Sequence, residues 1–232
     1  MSKIFFAIPS YRGIIYPEFA DSFNRSLASC HEAGHATSYA TYKGCCFISM
    51  VRDAVVRDFL KSQGDYLFFL DDDLSWEISA VNKLIALDLD VVAGVYRMKC
   101  EKPAWPVVLH KENTDQIVFN ESGCIRASRL PTGFMCIKRV VLEKMVEHYQ
   151  DRKYTDVSFD NGNRGEQINL FPSGVHNGYW ESDDTGFCRL WENMGGEMWL
   201  YPDISFNHYG ETKHFRGNYK RWIDAQLVPE AA

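Results

Sequence analysis

The sequence predicts an α/β fold with a mostly parallel central sheet and helices on both of its faces. Over residues 1–100, short apolar runs alternate with segments whose apolar residues recur at helical spacing. This is the pattern of a parallel, doubly wound sheet. The run 66–70 lacks polar alternation, so we expect a central strand buried on both faces. Three aspartates follow it directly, at the sheet edge where such folds bind ligands.

Local signals place the other elements of this half. Pro17 is suited to open a helix and Gly34 to end it. Ser75 is a plausible cap for the third helix, with Glu77 in the first turn. The predicted strands are 3–10, 35–42, 66–70 and 90–96, and the predicted helices are 17–31, 48–64 and the segment after Ser75.

The second part of the chain is less regular. The predicted elements are a loop over 99–106, short strands within 107–125, strands over 132–137 and 197–200, and helices over 139–150 and 185–194. The segment 151–178 is rich in Asn, Gly, Asp and Ser, which is typical of a functional lid or binding loop. We expect a single domain over 1–232, with halves 1–100 and 101–232.

Composition limits the choice of partners and compartment. The chain is 46% hydrophobic and 24% charged, as is usual for globular proteins. Its net charge of −6 gives no overall electrostatic case for nucleic acid or an anionic membrane. No apolar run suggests a secretory signal or a membrane span. The seven cysteines contain no C-x-x-C pair, so we expect reduced thiols and a cytoplasmic protein, in the host cytoplasm if the chain is viral.

The triplet Asp71, Asp72 and Asp73 is the strongest candidate for chemistry. Adjacent carboxylates repel one another, and a fold tolerates them mainly when a positive charge lies between them. A hard divalent cation, Mg²⁺ or Mn²⁺, that holds the phosphates of a nucleotide would supply that charge. The alternative is a solvated acidic turn that caps the next helix.

A second acidic segment precedes the predicted helix 185–194. It contains Trp180, Glu181, Asp183 and Asp184. A carboxylate held within hydrogen-bond reach of an acceptor hydroxyl can act as general base, and aromatic rings suit the C–H faces of a sugar. Helix capping by Asp183 or Asp184 is the alternative.

The segment from His208 onwards offers cationic and metal-binding groups. His208 stands beside a flexible position, Gly210, and a neutral imidazole there could complete the shell of the metal; a purely structural histidine is the alternative. Lys213, Arg216 and Lys220 lie among aromatic residues. They could form a diphosphate clamp or an acceptor platform, including one for nucleic acid, or a solvated amphipathic helix.

Two further cations fall near the ligand edge of the predicted sheet. Arg52 lies on the second helix and Lys99 follows the fourth strand. Either could contact the nucleotide, although an arginine in this place could equally form a surface ion pair.

The segments that carry these features are, in chain order, 6–10, Arg52, 70–73, 94–99, 132–135, Asp183 and Asp184 with Phe187 and Cys188, and His208 with Gly210. In this order they resemble the GT-A glycosyltransferases, particularly the small family-2-like enzymes of viruses and bacteria. Asp71 and Asp73 match the D-x-D motif of that family. The resemblance implies a GT-A-like (Rossmann-like) fold, with a nucleotide-binding half 1–100 and an acceptor-binding half 101–232.

The resemblance also implies a role for each matching residue. Asp73 and His208 would bind Mn²⁺ or Mg²⁺, Asp71 would share the metal or contact the ribose, and Asp184 or Asp183 would be the base. The nucleotide would contact Pro9, Ser10, Tyr11, Arg12, Arg52, Asp71, Asp72, Lys99, Lys213, Arg216 and Lys220. The acceptor would contact Gly133, Trp180 and Glu181. Asp53 stands where relatives often have Asn, and Asp183 where they have Glu, so the register of the base stays open.

The activity so implied is the metal-dependent transfer of a sugar from a nucleoside diphosphate sugar, most plausibly a UDP-sugar, to an acceptor hydroxyl. The acceptor could be a glycan, a lipid-linked sugar, a protein or a modified DNA base, and the anomeric configuration could be inverted or retained. Alternatives are a nucleotidyltransferase that acts on a sugar phosphate, although 10–13 is a poor phosphate loop, and a non-catalytic sugar-nucleotide-binding module. The oligomeric state stays open.

Overall fold

The computed structural model describes residues 1–111, 116–156, 165–211 and 213–227. Its helices are α1 (Pro17–Glu32), α2 (Ile48–Lys61), α3 (Ala80–Ala86), α4 (Arg139–His148), α5 (Asp183–Asn193) and α6 (Tyr219–Leu227). Its strands are β1 (Lys3–Pro9), β2 (Ala36–Tyr42), β3 (Tyr66–Leu70), β4 (Leu74–Trp76), β5 (Val91–Gly94), β6 (Val108–Leu109), β7 (Ile125–Arg129), β8 (Phe134–Lys138), β9 (Lys153–Asp156), β10 (Gly165–Ile168), β11 (Gly174–His176), β12 (Tyr179–Glu181), β13 (Met198–Tyr201), β14 (Ser205–Tyr209) and β15 (His214–Asn218).

The central sheet has the strand order β2-β1-β3-β8-β5-β13-β7-β6. Strand β1 pairs in parallel with β2 and β3, and β5 pairs in parallel with β13. Strand β8 runs antiparallel between β3 and β5, and β7 runs antiparallel between β13 and β6. Six of the eight strands of this sheet therefore run in one direction and β8 and β7 run in the opposite one, so the sheet is mainly parallel in strand direction, which confirms the predicted fold class.

The core lies on both faces of this sheet because β3 sends alternate side chains in opposite directions. Leu67 and Phe69 pack in one apolar cluster with residues of α2, α4 and α5. Phe68 and Leu70 pack in the other cluster, with residues of α1 and α3. Each of these four side chains is almost fully buried, as expected for a central strand without polar alternation.

Strand β8 is the part of the sheet that the doubly wound pattern does not include. Its apolar composition marks a buried strand but contains no information about direction. By entering antiparallel, β8 brings its own start beside the end of β3, where the backbone N–H of Asp71 donates to the carbonyl of Gly133 at 2.9 Å. Thus the second half of the chain reaches the acidic triplet.

A smaller sheet of β15, β14 and β4 adjoins the triplet. The prediction that Ser75 caps a helix is wrong: Ser75 lies in β4 opposite Asn207, and α3 begins only at Ala80. Glu77 therefore precedes the helix and pairs with Lys83 at 2.7 Å. Because β4 pairs with β14, the backbone groups around Ser75 bond to a neighbouring strand and not within the first turn of a helix.

Regular structure also occurs in segments predicted to be irregular or helical. Within 151–178, β9 pairs with β10 and β11 pairs with β12, while 157–164 lie outside the described residues. The basic segment 213–222 is not one helix, because β15 precedes α6.

The state of the cysteines and the character of the helices bear on the environment of the chain. Each of the seven cysteines, all of which lie in the described ranges, is free. Burial raises the pKa of Cys30 and of Cys124 to about 11. In the described part of the chain, no helix has both the length and the apolar character needed to cross a bilayer.

Candidate active site

The acidic triplet forms the turn between β3 and β4. The backbone N–H of Leu74 donates to the carbonyl of Asp71 at 3.3 Å. Burial raises the pKa of Asp71, and the charge of the nearby Arg52 offsets part of this rise. Burial also raises the pKa of Asp72, and hydrogen bonding by Ser10 partly offsets it.

Asp73 lies beside His208, as the proposed shared ion requires. Strand β14 pairs with β4 so that His208 is opposite Leu74, and the N–H of Tyr209 donates to the carbonyl of Asp73 at 2.8 Å. His208 Nε2 then lies 3.5 Å from Asp73 Oδ1. Burial acts to raise the pKa of Asp73, but His208 and Lys99 outweigh it, and the pKa lies below its ordinary value.

The tautomer of a neutral His208 follows from the partner of its second nitrogen. Nδ1 lies 2.9 Å from the backbone carbonyl of Arg97, and a carbonyl only accepts, so Nδ1 carries the hydrogen. In the neutral imidazole the lone pair is then on Nε2, which faces Asp73 Oδ1. That oxygen is buried and has no hydrogen-bond partner. If Nε2 carries a proton, it forms an ion pair with Asp73; if it does not, its lone pair and that of Oδ1 are directed at one point and fit a cation. A backbone carbonyl on the other ring nitrogen is the usual support of a metal-bound histidine.

The pair does not form a complete metal shell by itself. Among the described residues, no group of three or more histidine, cysteine or acidic side chains is arranged to hold a metal ion. Mg²⁺ is commonly held by one or two carboxylates, with substrate phosphates and water as the other ligands. Asp73 and His208 fit that type of site.

Arg52 connects the triplet to the acceptor half. Its buried guanidinium pairs with Asp183 through Nη1 and lies 3.7 Å from Asp71 Oδ1 through Nη2. The hydroxyl of Tyr96 donates to the other oxygen of Asp71 at 3.3 Å. The structure directs Arg52 at two carboxylates from different halves of the chain, and the predicted nucleotide contact stays a prediction.

Gly133 provides the space for this arrangement. A Cβ atom at this position would collide with the carboxylate of Asp71 and the hydroxyl of Tyr96. The structure thus gives Gly133 a packing role next to the triplet, while the predicted acceptor contact stays a prediction.

A cleft of about 210 Å³ opens beside the triplet. Its lining includes seven residues predicted to bind nucleotide or metal: Pro9, Ser10, Tyr11, Arg52, Asp71, Asp72 and Asp73. Sequence reasoning missed the others: Tyr42, Cys45, Cys46, Ile48 and Val51. Tyr42 ends β2 opposite Pro9, because β1 and β2 pair in parallel. Parallel pairing of the first two predicted strands would therefore have placed Tyr42 beside Pro9 in the lining of the cleft.

A larger cleft of about 310 Å³ lies against the other side of α2, with Asp53 and Gln167 in its lining. It contains none of the triplet. The chemistry therefore favours the smaller cleft, where charged groups converge, over the larger one.

The two candidate bases differ in their surroundings. Asp183 is buried against Arg52. Asp184 is only half-buried, and its Oδ1 accepts from the N–H of Thr185 at 2.8 Å and from the hydroxyl of Ser182. Burial raises the pKa of Tyr96, and the charges of Asp71 and Asp184 raise it further, so Asp184, in the first turn of α5, lies within electrostatic range of that hydroxyl.

Two of the three predicted acceptor residues, Trp180 and Glu181, precede α5 on the hairpin of β11 and β12. Trp180 is 75% exposed, whereas Glu181 pairs with Arg189 of α5 at 2.9 Å. The hairpin turns at Asn177 and Gly178, both of which have positive φ. Trp180 is therefore available to a ligand, while Glu181 anchors the hairpin.

The basic residues after His208 have different surroundings. Lys213 follows the turn at Gly210 and pairs with Glu101. Lys220 pairs with Asp224 on its own helix at 2.7 Å. Arg216 is exposed on β15, opposite Asn207. The structure brings Lys99 to the triplet more directly, since its Nζ lies 2.5 Å from Asp73 Oδ2.

Comparison of the folds supports the GT-A-like assignment. The chain is similar to A197 from STIV, with a TM-score of 0.55 and 18% identity over 94% of this chain and 95% of that one. It also matches TarS 1-349 from S. aureus, solved with UDP-GlcNAc, with a TM-score of 0.48 and 11% identity over 94% of this chain and 60% of that one. A third match is the inositol-1-phosphate CTP transferase from T. maritima, with a TM-score of 0.44 and 10% identity over 90% and 89% of the two chains.

These similarities concern the fold alone. No protein-family model matches the sequence, and no curated protein matches it either. The architecture and the near-complete overlap with A197 confirm the predicted GT-A-like fold.

Proposed function

We propose that this protein is a glycosyltransferase that uses a divalent cation and a nucleoside diphosphate sugar, with a UDP-sugar as the first candidate donor. The observation that carries the proposal is the point at which His208 Nε2 and Asp73 Oδ1 face each other, 3.5 Å apart, with Oδ1 buried and without a hydrogen-bond partner. That point adjoins a cleft built from the ends of β1, β2 and β3.

The donor would lie along the cleft with its diphosphate at Asp73 and His208. A bound Mn²⁺ or Mg²⁺ would neutralise the charge that develops on the leaving diphosphate. Pro9, Ser10 and Tyr42 offer a wall for the nucleoside. Arg12 and Lys99 would hold the phosphates. The charge of each offsets part of the rise in the pKa of Asp72 that burial causes.

The acceptor would approach from the side of α5. Arg52 fixes Asp183, and this holds the first turn of α5 against the triplet. Asp184 follows directly, with one oxygen held by Thr185 and Ser182. In a direct attack by the acceptor hydroxyl, Asp184 is the carboxylate placed to take the proton. Asp183 is better described as a positioning residue, because its carboxylate is committed to Arg52.

The exposed ring of Trp180 extends this side and offers a stacking surface to a sugar of the acceptor. A glycan is therefore the proposed acceptor class. Neighbouring Tyr179 is also largely exposed, so two rings are available within one short hairpin.

The test is a panel of nucleotide sugars with Mn²⁺ or Mg²⁺, scored first by thermal stabilisation. A ligand at 100 times its Kd adds about 2.7 kcal/mol to the free energy of unfolding. The matching donor should stabilise the wild type only when the metal is present, and Asp73→Asn should lose this metal-dependent part. Release of nucleoside diphosphate identifies glycosyl transfer, whereas release of pyrophosphate identifies nucleotidyl transfer and would overturn the proposal. Donor binding without turnover on any glycan would favour a binding module.

A further inference from the structure

The carboxylate of Asp73 already has a cationic partner within the chain. Lys99 Nζ lies 2.5 Å from Asp73 Oδ2, while the other oxygen, Oδ1, is the one that faces His208. Burial raises the pKa of Asp72, and the charge of the same ammonium offsets part of that rise. Lys99 therefore supplies positive charge at the carboxylate that a divalent cation would use.

Lys99 is held there by a loop with its own internal contacts. The N–H of Met98 donates to the carbonyl of Ala104 at 2.9 Å. Arg97 Nη2 donates to the carbonyls of Cys100 and Glu101 at 3.1 and 2.6 Å. These contacts fold the loop on itself and fix the backbone on both sides of Lys99.

The loop is also joined to the hairpin that carries the histidine. Glu101 pairs with Lys213, and the carbonyl of Arg97 accepts from His208 Nδ1. A Cβ atom on Gly210 would lie 3.9 Å from Cδ of Lys99, so the stem of the lysine passes next to this glycine. One loop thus sets both the direction of His208 and the position of the ammonium group.

We propose that Lys99 is a resident counter-ion that competes with the divalent cation for Asp73. This inference rests on the proposed function. In the protein without nucleotide, the ammonium compensates the clustered carboxylates, and a second cation at the same carboxylate is repelled by it. A diphosphate brings negative charge for both cations, so Lys99 leaves Asp73 for the phosphates when metal and nucleotide are bound together. Metal and nucleotide then bind with positive cooperativity.

Mn²⁺ binding, followed by the electron paramagnetic resonance signal of free Mn²⁺, tests the competition without any turnover. Lys99→Met keeps the length of the side chain and removes its charge. It should bind Mn²⁺ alone about tenfold more tightly than the wild type, within the usual range of coupling between two sites. Added UDP should tighten Mn²⁺ binding strongly in the wild type and much less in this variant.

Lys102→Met is the matched control, because Lys102 is an exposed lysine of the same loop and its loss changes the net charge equally. Asp73→Asn should abolish Mn²⁺ binding in either background. Lys99→Gln provides a second neutral side chain if the methionine variant unfolds at a lower temperature.

Equal Mn²⁺ affinities for the wild type, Lys99→Met and Lys102→Met would refute the counter-ion role. If that binding is still lost in Asp73→Asn, the proposed glycosyltransferase site remains supported. An absence of Mn²⁺ binding in every variant, with UDP present, would overturn the counter-ion role and the metal dependence together.

Discussion

Asp53 should make this fold less stable as the pH rises, and Asp53→Asn should remove that effect. The carboxylate is 2% exposed. Its Oδ1 accepts from the N–H groups of Leu170 and Phe171, both at 3.0 Å, and its Oδ2 from the hydroxyl of Tyr154 at 3.0 Å. Burial raises its pKa to about 7 in spite of these hydrogen bonds. Asparagine can accept the same two backbone N–H groups and carries no charge.

The sign and size follow from proton linkage. Between pH 4 and pH 7 the folded protein retains a proton on Asp53 that the unfolded chain releases. The free energy of unfolding therefore falls with rising pH, by up to about 1.4 kcal/mol per unit. The full separation of about three pKa units corresponds to about 4 kcal/mol. Protonated Asp53 and asparagine should be nearly equivalent at pH 4, so the variant should gain its advantage as the pH rises and keep it above pH 7.

The assay is urea unfolding followed by tryptophan fluorescence, at several pH values from 5 to 8. The gap between Asp53→Asn and the wild type should widen by about 2 kcal/mol between pH 5 and pH 7, because the slope decreases as the pH approaches the pKa of the folded state. Asp151→Asn, at an exposed position on the adjoining turn, controls for the loss of one negative charge. A gap that does not change with pH, or a variant that is less stable than the wild type at pH 8, would show that this carboxylate is not held protonated by burial.

Two further substitutions test the site itself. Gly133→Ala should destabilise the fold by about 1–3 kcal/mol, because the added methyl would collide with Asp71 and Tyr96; a melting temperature equal to that of the wild type would contradict the packing role. Asp184→Asn should retain donor binding, measured by thermal shift, and reduce transfer to the acceptor by about 10²-fold or more; weakened donor binding with normal transfer would assign Asp184 to another role.

The order of the motifs predicted the fold and the main residues of the cleft, since apolar runs and the residues that end them are local properties. The packing between halves was not local. Arg52 shows this: its position on a helix near the sheet edge suggested a nucleotide contact or a surface ion pair. Only the approach of α5 through the antiparallel strand β8 and its neighbours turns it towards Asp183. Ser75 shows the same limit, because pairing with β14 overrides a plausible helix cap.

The acidic triplet shows why electrostatics alone is a weak argument for a metal. Three adjacent carboxylates were expected to need a positive charge between them, and the fold places three cationic side chains of the chain itself next to them. Arg52 lies near Asp71, and Lys99 forms an ion pair with Asp73. The charges of Arg12 and Lys99 offset part of the rise in the pKa of Asp72 that burial causes. Protein cations therefore suffice to explain how the triplet is tolerated. What they do not explain is the direction of His208. A histidine whose Nδ1 hydrogen is committed to a backbone carbonyl presents a lone pair to a carboxylate oxygen that has no donor, and that contact gains stability only when a proton or a metal ion enters it.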